Sequence, residues 1–237
     1  MLNNDLYNNA YKKFTPDFLV SKNLSKIDQY LAQNGESIYN FINQYANQFD
    51  LALDMKNNPC LELGCGVGGT SFSLEGIFQE IVGIDSSSLA IASAKAIAKL
   101  KKSSIQFICH DALTWKAEEK YKYIVDSHLL HCITVSSERT KYLTNIKRNL
   151  APDGKFFLET MVFQPQLKIP HDYFYDEEKT IWYNELAIRK VLKSLDIEKE
   201  LEIHGLKINY LYYHSELSFN PFVGHPDLPF QHLPKTL

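Results

Sequence analysis

Short apolar runs alternate with amphipathic stretches through most of the chain, and the alternation begins at residue 59. Runs at 59–63, 80–84, 105–109, 121–126 and 155–161 read as strands. Between them, helix-compatible spacing predicts helices near 69–78, 87–101 and 137–150, with a weaker one at 112–119. Strands separated by helices in this way predict a parallel sheet covered on both faces. Upstream, Ile38, Phe41, Ile42, Tyr45 and Phe49 fall on one helix face, and Gly35 reads as the stop of a preceding helix. Downstream, Ile181, Trp182, Leu186, Ile188, Val191 and Leu192 supply the apolar positions of a helix over 178–194. Two strand-like runs follow, 196–204 and 207–217, parted by Gly205. So short a connection requires antiparallel pairing. Pro221, Pro226, Pro229 and Pro234 leave 219–237 without regular structure.

Composition narrows the class. With 237 residues, 45% of them hydrophobic, the chain can bury a full core as one domain with an elaboration. A net charge of −3 and a pI near 6.2 give no footprint for long nucleic acid. Lys95, Lys99, Lys101 and Lys102 cluster in the last turns of a predicted helix, where cations suit the macrodipole. There is no signal pattern at the start and no apolar run long enough for a membrane span. The four cysteines, Cys60, Cys65, Cys109 and Cys132, form no CxxC pair, so the expected compartment is reducing and cytoplasmic.

Candidate chemistry centres on Leu61-Glu62-Leu63-Gly64-Cys65-Gly66-Val67-Gly68-Gly69, a glycine-rich turn between a strand and a helix. Such a turn lets a ligand approach the backbone where a β-carbon would block it. Asp85, at the end of the next strand, is placed to accept hydrogen bonds from a ribose diol. An adenosine-containing cofactor is therefore expected. The spacing satisfies the GxGxxG of an NAD site. Four features favour another cofactor: the late start of the first strand, Glu62 two residues before the first glycine, the GxGxG spacing completed by Gly68, and a second acid, Asp111, after the third strand.

These residues resemble the class I S-adenosylmethionine-dependent methyltransferases, whose E/D-x-G-x-G-x-G pattern is seen here as Glu62-Leu63-Gly64-Cys65-Gly66-Val67-Gly68. The acid after the second strand matches Asp85-Ser86, and the acid and small residue after the third match Asp111-Ala112. The fourth-strand segment matches Tyr123 to Ile133, and the turn into the fifth matches Leu150-Ala151-Pro152-Asp153-Gly154. The resemblance covers 59–217. It implies an α/β fold: a doubly wound, seven-stranded, mostly parallel sheet with a C-terminal antiparallel hairpin and an N-terminal helical elaboration. Residues 1–58 would form a helical cap segment, 59–217 the cofactor domain and 218–237 an irregular tail. It further implies S-adenosyl-L-methionine as cofactor, with S-adenosyl-L-homocysteine as product. Glu62, Gly64, Cys65, Gly66, Gly68, Asp85, Ser86, Asp111, Ala112, Asp126 and Ser127 would bind it. Glu62 would lie near the methionine amino group, Asp85 would take the ribose hydroxyls, and Asp111 and Ala112 would meet the adenine. For the acids, the competing reading is helix capping or turn formation.

Methyl transfer needs alignment more than acid–base help, because the sulfonium donor is already activated. Where the acceptor must lose a proton, His128 and His131 are the candidate bases, sharing a face if 128–133 form a helical turn. The competing reading gives both a packing role. No metal is expected, since further ligands are not visible. Cys65 and Cys132 are candidates to line the pocket or, equally, small buried hydrophobes. The only Pro-Cys, Pro59-Cys60, stands at the start of the first strand and not after the fourth, and no N/D-P-P-Y stands after the fourth, which excludes cytosine-C5 and amino-methylating nucleic-acid chemistry. The 163–176 loop, with Tyr173, Phe174 and Tyr175, is a candidate acceptor lid or a core anchor, and Tyr7 and Tyr11 could close over the cofactor. The expected function is transfer of a methyl group to a small-molecule acceptor, with no nucleic-acid or membrane partner. The alternatives are an NAD(P)-dependent oxidoreductase and a non-catalytic binding protein of this fold.

Overall fold

A computed structural model describes residues 24–163, 171, 173–183 and 185–213. Five parallel strands make the main sheet: β1 (Cys60–Leu63), β2 (Ile81–Asp85), β3 (Gln106–Cys109), β4 (Tyr121–Ser127) and β5 (Leu150–Glu159), in the order β3-β2-β1-β4-β5. The order reverses direction between β1 and β4, which opens a crevice at the carboxyl ends of the strands. Side chains alternate across the sheet, so two cores form. Cys60, Tyr123, Val125 and Phe157 face one core, which is closed by α1 (Leu24–Gln48) and by α4 (Ser88–Lys101). Leu61, Leu63, Ile84 and Ile124 face the other, closed by α5 (Ser136–Asn149) and α6 (Ser194–Ile203). Two short helices, α2 (Ala52–Lys56) and α3 (Gly69–Ser73), lead into and out of β1.

The elements positioning the site have local causes. Ser87 caps α4 by accepting the Ala90 N–H (3.2 Å), and Lys99 and Lys101 stand in its last turn. In α1, Ile38, Ile42 and Tyr45 are buried on one face as the spacing predicts, while Phe49 is half exposed. Gly35 is not a stop. It lies inside α1, where a Cβ would come within 2.6 Å of the Gly69 carbonyl oxygen. The glycine is needed for close approach of α1 to α3, not for a chain break. Gly35→Ala should therefore cost about 1–3 kcal/mol of packing strain, offset by about 1 kcal/mol of helix propensity. Thermal melts of the variant are expected to show the loss, and an unchanged midpoint would refute the close packing.

Four expectations fail in the second half. The main sheet has five strands among the described residues, not seven. The 178–194 helix is instead β7 (Thr180–Tyr183) and β8 (Leu186–Lys190), which join β6 (Tyr173–Tyr175) in a separate antiparallel sheet. Lys179 and Glu185 adopt left-handed φ values of 67° and 64°, so turns break the segment twice. Two short strands and a turn can mimic the three- and four-residue apolar step of a helix. The 196–204 strand is α6, whose buried Ile197 and Leu201 stand four residues apart. Gly205, at φ 72°, ends that helix, with the Leu206 N–H donating to the Leu201 carbonyl (3.0 Å). Residues 207–213 form no strand, and 214–217 fall outside the described residues, as does the predicted tail. The weak helix at 112–119 is a turn in which Leu113 and Thr114 N–H groups bond to Asp111. The first predicted helix shortens to α3, and β5 begins at Leu150.

Candidate active site

The carboxyl end of the sheet gathers most of the residues singled out by the sequence. Past β1 the chain turns sharply: Gly64, Gly66 and Gly68 take φ values of 73°, 54° and 93°, a region closed to most side chains. At Gly64 a Cβ would also meet Leu129 Cβ at 2.9 Å. The Gly64 and Cys65 N–H groups both donate to the Ile84 carbonyl (2.8 and 3.0 Å), tying the turn to β2. Asp85 completes the tie: Gly66 N–H donates to its Oδ2 (2.9 Å) and Ser87 N–H to its Oδ1 (2.8 Å). Burial raises the Asp85 pKa, and these two bonds oppose the shift. Each carboxylate oxygen retains a lone pair beyond its backbone bond, so the pair can accept from the two hydroxyls of a diol.

Glu62 alternates to the face of β1 that looks at α3, where it is 2% exposed and accepts the Ser71 hydroxyl. Burial drives its pKa up to about 7, with the Ser71 bond opposing and the Asp85 charge assisting. The folded-state value lies above that of an unfolded glutamate. Stability should thus be greatest below pH 4.5 for this group and fall as pH rises toward 7. Glu62→Gln is expected to flatten that part of the pH profile of thermal unfolding, and a variant with the wild-type slope would contradict the assignment.

Asp111 stands after β3, half-buried, with Oδ1 accepting the Leu113 N–H (2.8 Å). Buried Ala112 turns its carbonyl to Asn145 Nδ2 (2.8 Å). Ser86 lies between Asp85 and the α4 cap, and its carbonyl lies 3.7 Å from Cys109 Sγ. Cys65 is buried beside Gly83, whose added Cβ would meet its Sγ at 3.0 Å.

Near the end of β4, Asp126 is fully buried and takes three donors: Leu129 N–H (2.6 Å), Leu130 N–H (3.0 Å) and the Tyr142 hydroxyl (2.8 Å). Burial raises its pKa to about 6 against those bonds. It holds the short 3-10 turn Leu130–Cys132. Cys132 is half-buried in that turn, with Sγ 3.1 Å from the His128 carbonyl. The two histidine rings meet edge to face at 5.5 Å. His131 is buried, its Nδ1 accepting the Met161 N–H (3.3 Å). Burial, then the charges of Arg189, His128 and Arg139, hold its pKa well below the usual value. His131 is a neutral ring supporting the turn. His128 lies nearer the crevice, beside Glu159 at the end of β5. Ser127 donates its hydroxyl to the same Glu159 (3.0 Å).

Glu159, and Ser37, which α1 brings to that carboxylate, carry no motif in the sequence that marks them as part of the site. An acid closing a strand, as Asp85 and Asp111 do, was the available signal for Glu159. Among the described residues, no group of His, Cys, Asp and Glu is arranged to hold a metal. In the former lid region, Phe174 is exposed, whereas Tyr175 stacks on Phe163 at 5.2 Å and donates to the Val191 carbonyl. Tyr7, Tyr11 and 164–170 fall outside the described residues.

Residues 54–204 match the family model described as a methyltransferase domain. No curated protein sequence matches the chain significantly. Among solved structures, an S-adenosylmethionine-dependent methyltransferase from Clostridium acetobutylicum ATCC 824 is 17% identical with a TM-score of 0.59, covering 77% of this chain and 87% of that one. The PH0226 protein from Pyrococcus horikoshii OT3 is 28% identical, TM-score 0.57, over 70% of this chain and 81% of that one. A sugar N-methyltransferase, KedS8, from Streptoalloteichus sp ATCC 53650 is 12% identical, TM-score 0.53, over 74% and 79%.

Proposed function

Since this chain belongs to the methyltransferase-domain family, and is thus an enzyme with S-adenosylmethionine as its cofactor, we propose that it methylates a small-molecule acceptor, chiefly by aligning it. The observation that carries this reading is the linkage of Gly66 and Ser87 to opposite oxygens of Asp85. It holds the glycine turn and the diol-binding acid in one rigid unit at the sheet crevice. Family membership speaks against the oxidoreductase.

When bound, the cofactor supplies an electrophilic methyl group on a sulfonium. Asp85 would take the ribose hydroxyls, Asp111 and Ala112 the adenine, and Glu62 would face the methionine amino end. The backbone of Gly64 and Gly66 would lie beneath the chain that joins them. His128 would take the proton that an acceptor hydroxyl, thiol or ammonium must lose, while buried His131 and Asp126 shape the turn that carries it. The acceptor end is bordered by Ser127, His128 and Glu159 and backed by β8, which packs on the 130–132 turn. A net charge of −3 fits a small acceptor better than a polyanion. Among the described residues no helix is long and apolar enough to cross a membrane.

The test is transfer of labelled methyl from S-adenosylmethionine across panels of amines, alcohols, thiols and carboxylic acids, with protein and RNA substrates in parallel. Product in a small-molecule panel supports the proposal. Labelling of protein or RNA alone would overturn the acceptor class.

A further inference from the structure

β4 and β5 end side by side in Ser127 and Glu159, which are register partners on the face of the sheet that Glu62 shares. The Ser127 hydroxyl donates to Glu159 Oε2 (3.0 Å), His128 Nε2 lies 3.2 Å from the same oxygen, and the Ser37 hydroxyl of α1 donates to Oε1. Burial would raise the Glu159 pKa, but the His128 bond and charge, with the two serine hydroxyls, hold it below the usual carboxylate range. The group is an anion at neutral pH. Oε2 has two partners and Oε1 one, and each oxygen of a carboxylate can accept two. The side chain is 16% exposed, so a small molecule in the crevice can reach it. The cations packed around the histidine turn are engaged elsewhere. Arg139 holds both Glu200 oxygens, Lys190 Nζ donates to Ser136 Oγ (3.0 Å) with Glu178 at 3.9 Å, and Arg189 Nη1 donates to the Ile188 carbonyl (2.7 Å). A fixed negative charge at the acceptor end sorts acceptors. Alcohols and thiols react best as anions, and carboxylic acids as carboxylates, and a neighbouring carboxylate disfavours all three. A neutral amine attacks with its own lone pair and becomes cationic as it does so, which the same carboxylate stabilises.

We infer that Glu159 is the acceptor-binding residue and that the acceptor is an amine, whose nitrogen donates an N–H to Oε1. This rests on the methyltransferase reading of the crevice. The amine nitrogen forms a bond to the methyl carbon, the carbon–sulfur bond breaks with its electron pair remaining on sulfur, and the positive charge passes from sulfur to nitrogen. The methylated ammonium gives up its proton to water after release. The reacting form is the free amine, so the transfer step makes no demand on His128.

The test reads the charge at the transfer point with sinefungin, an S-adenosylmethionine analogue that carries an ammonium-bearing carbon in place of the methylated sulfur. Calorimetry of the full-length protein gives the preference for sinefungin over S-adenosylhomocysteine. In Glu159→Gln that preference should fall about tenfold or more, while S-adenosylhomocysteine affinity stays unchanged. An unchanged preference, or an equal loss of both ligands, would overturn the inference. Glu159→Asp withdraws the carboxylate by one methylene and should fall between the two. Should the glutamine variant not fold, the aspartate variant decides, and a wild-type preference in it would overturn the inference. In a second arm, labelled methyl is offered to amines, alcohols, thiols and carboxylic acids built on the same hexyl and benzyl skeletons. Product is expected on the amines, and product on the other groups alone would overturn the amine class. Where no skeleton turns over, the sinefungin comparison decides. Wild-type protein that binds none of the adenosyl compounds would sink the methyltransferase reading instead, so the two failures are separable.

Discussion

Asp85→Ala is expected to abolish S-adenosylmethionine binding at concentrations that saturate the wild-type protein. Two losses combine. The ribose loses its charged acceptor, and hydrogen bonds to a charged group are worth about 1.5–3 kcal/mol each. Two such bonds correspond to an affinity loss of about a hundredfold or more. The apo protein also loses the acceptor for Gly66 and Ser87, so the glycine turn and the start of α4 come apart from each other. Asp85→Asn separates the effects. Its carbonyl can still accept from one backbone N–H, but its amide nitrogen cannot accept from the other. Calorimetry should rank affinity as wild type, then Asn, then Ala. Wild-type affinity in the alanine variant would mean that Asp85 serves the turn alone.

Arg139→Ala is expected to be the most destabilising single change. Arg139 is 2% exposed and holds both Glu200 oxygens, through Nε (2.8 Å) and Nη2 (2.5 Å), so it ties α5 to α6. Its Nη1 also donates to the carbonyls of Leu130 (2.6 Å) and Ile133 (3.3 Å), at either end of the histidine turn. Truncation strands a carboxylate and leaves two carbonyls without this donor, a cost of about 3–5 kcal/mol. For a chain of this size that is a fall of about 10 °C in the unfolding midpoint. Lysine should not rescue it, because a single ammonium cannot bridge two carboxylate oxygens and the carbonyls together. A small midpoint change in both variants would show that the turn is held by Asp126 and packing alone.

The first five strands were legible because each is a short apolar run, and because parallel pairing buries both faces of β1, β2 and much of β4. The glycine turn, Asp85 and Asp111 were legible because their chemistry is local: each sits within a few residues of a strand end. The region after β5 was not. The apolar step through Ile181, Ile188 and Val191 suits a helix and two short strands alike, and only the left-handed Lys179 and Glu185 decide between them. Gly205 was misread for a related reason, since a glycine with positive φ serves a hairpin turn as readily as a helix end. Glu159 and Ser37 were hidden by distance, 122 positions apart in the chain and joined only by folding. Asp126 matched the motif, yet its carboxylate is taken by the protein's own donors, which spacing alone does not reveal.

Every proposed role depends on the crevice between β1 and β4 binding S-adenosylmethionine. Calorimetric titration of the purified protein with S-adenosylmethionine, S-adenosylhomocysteine and NAD tests it most directly. Saturable one-to-one binding of both sulfur compounds is expected, with no heat from NAD and loss of the signal in Asp85→Ala. Binding of NAD alone, or of none of the three, would contradict it.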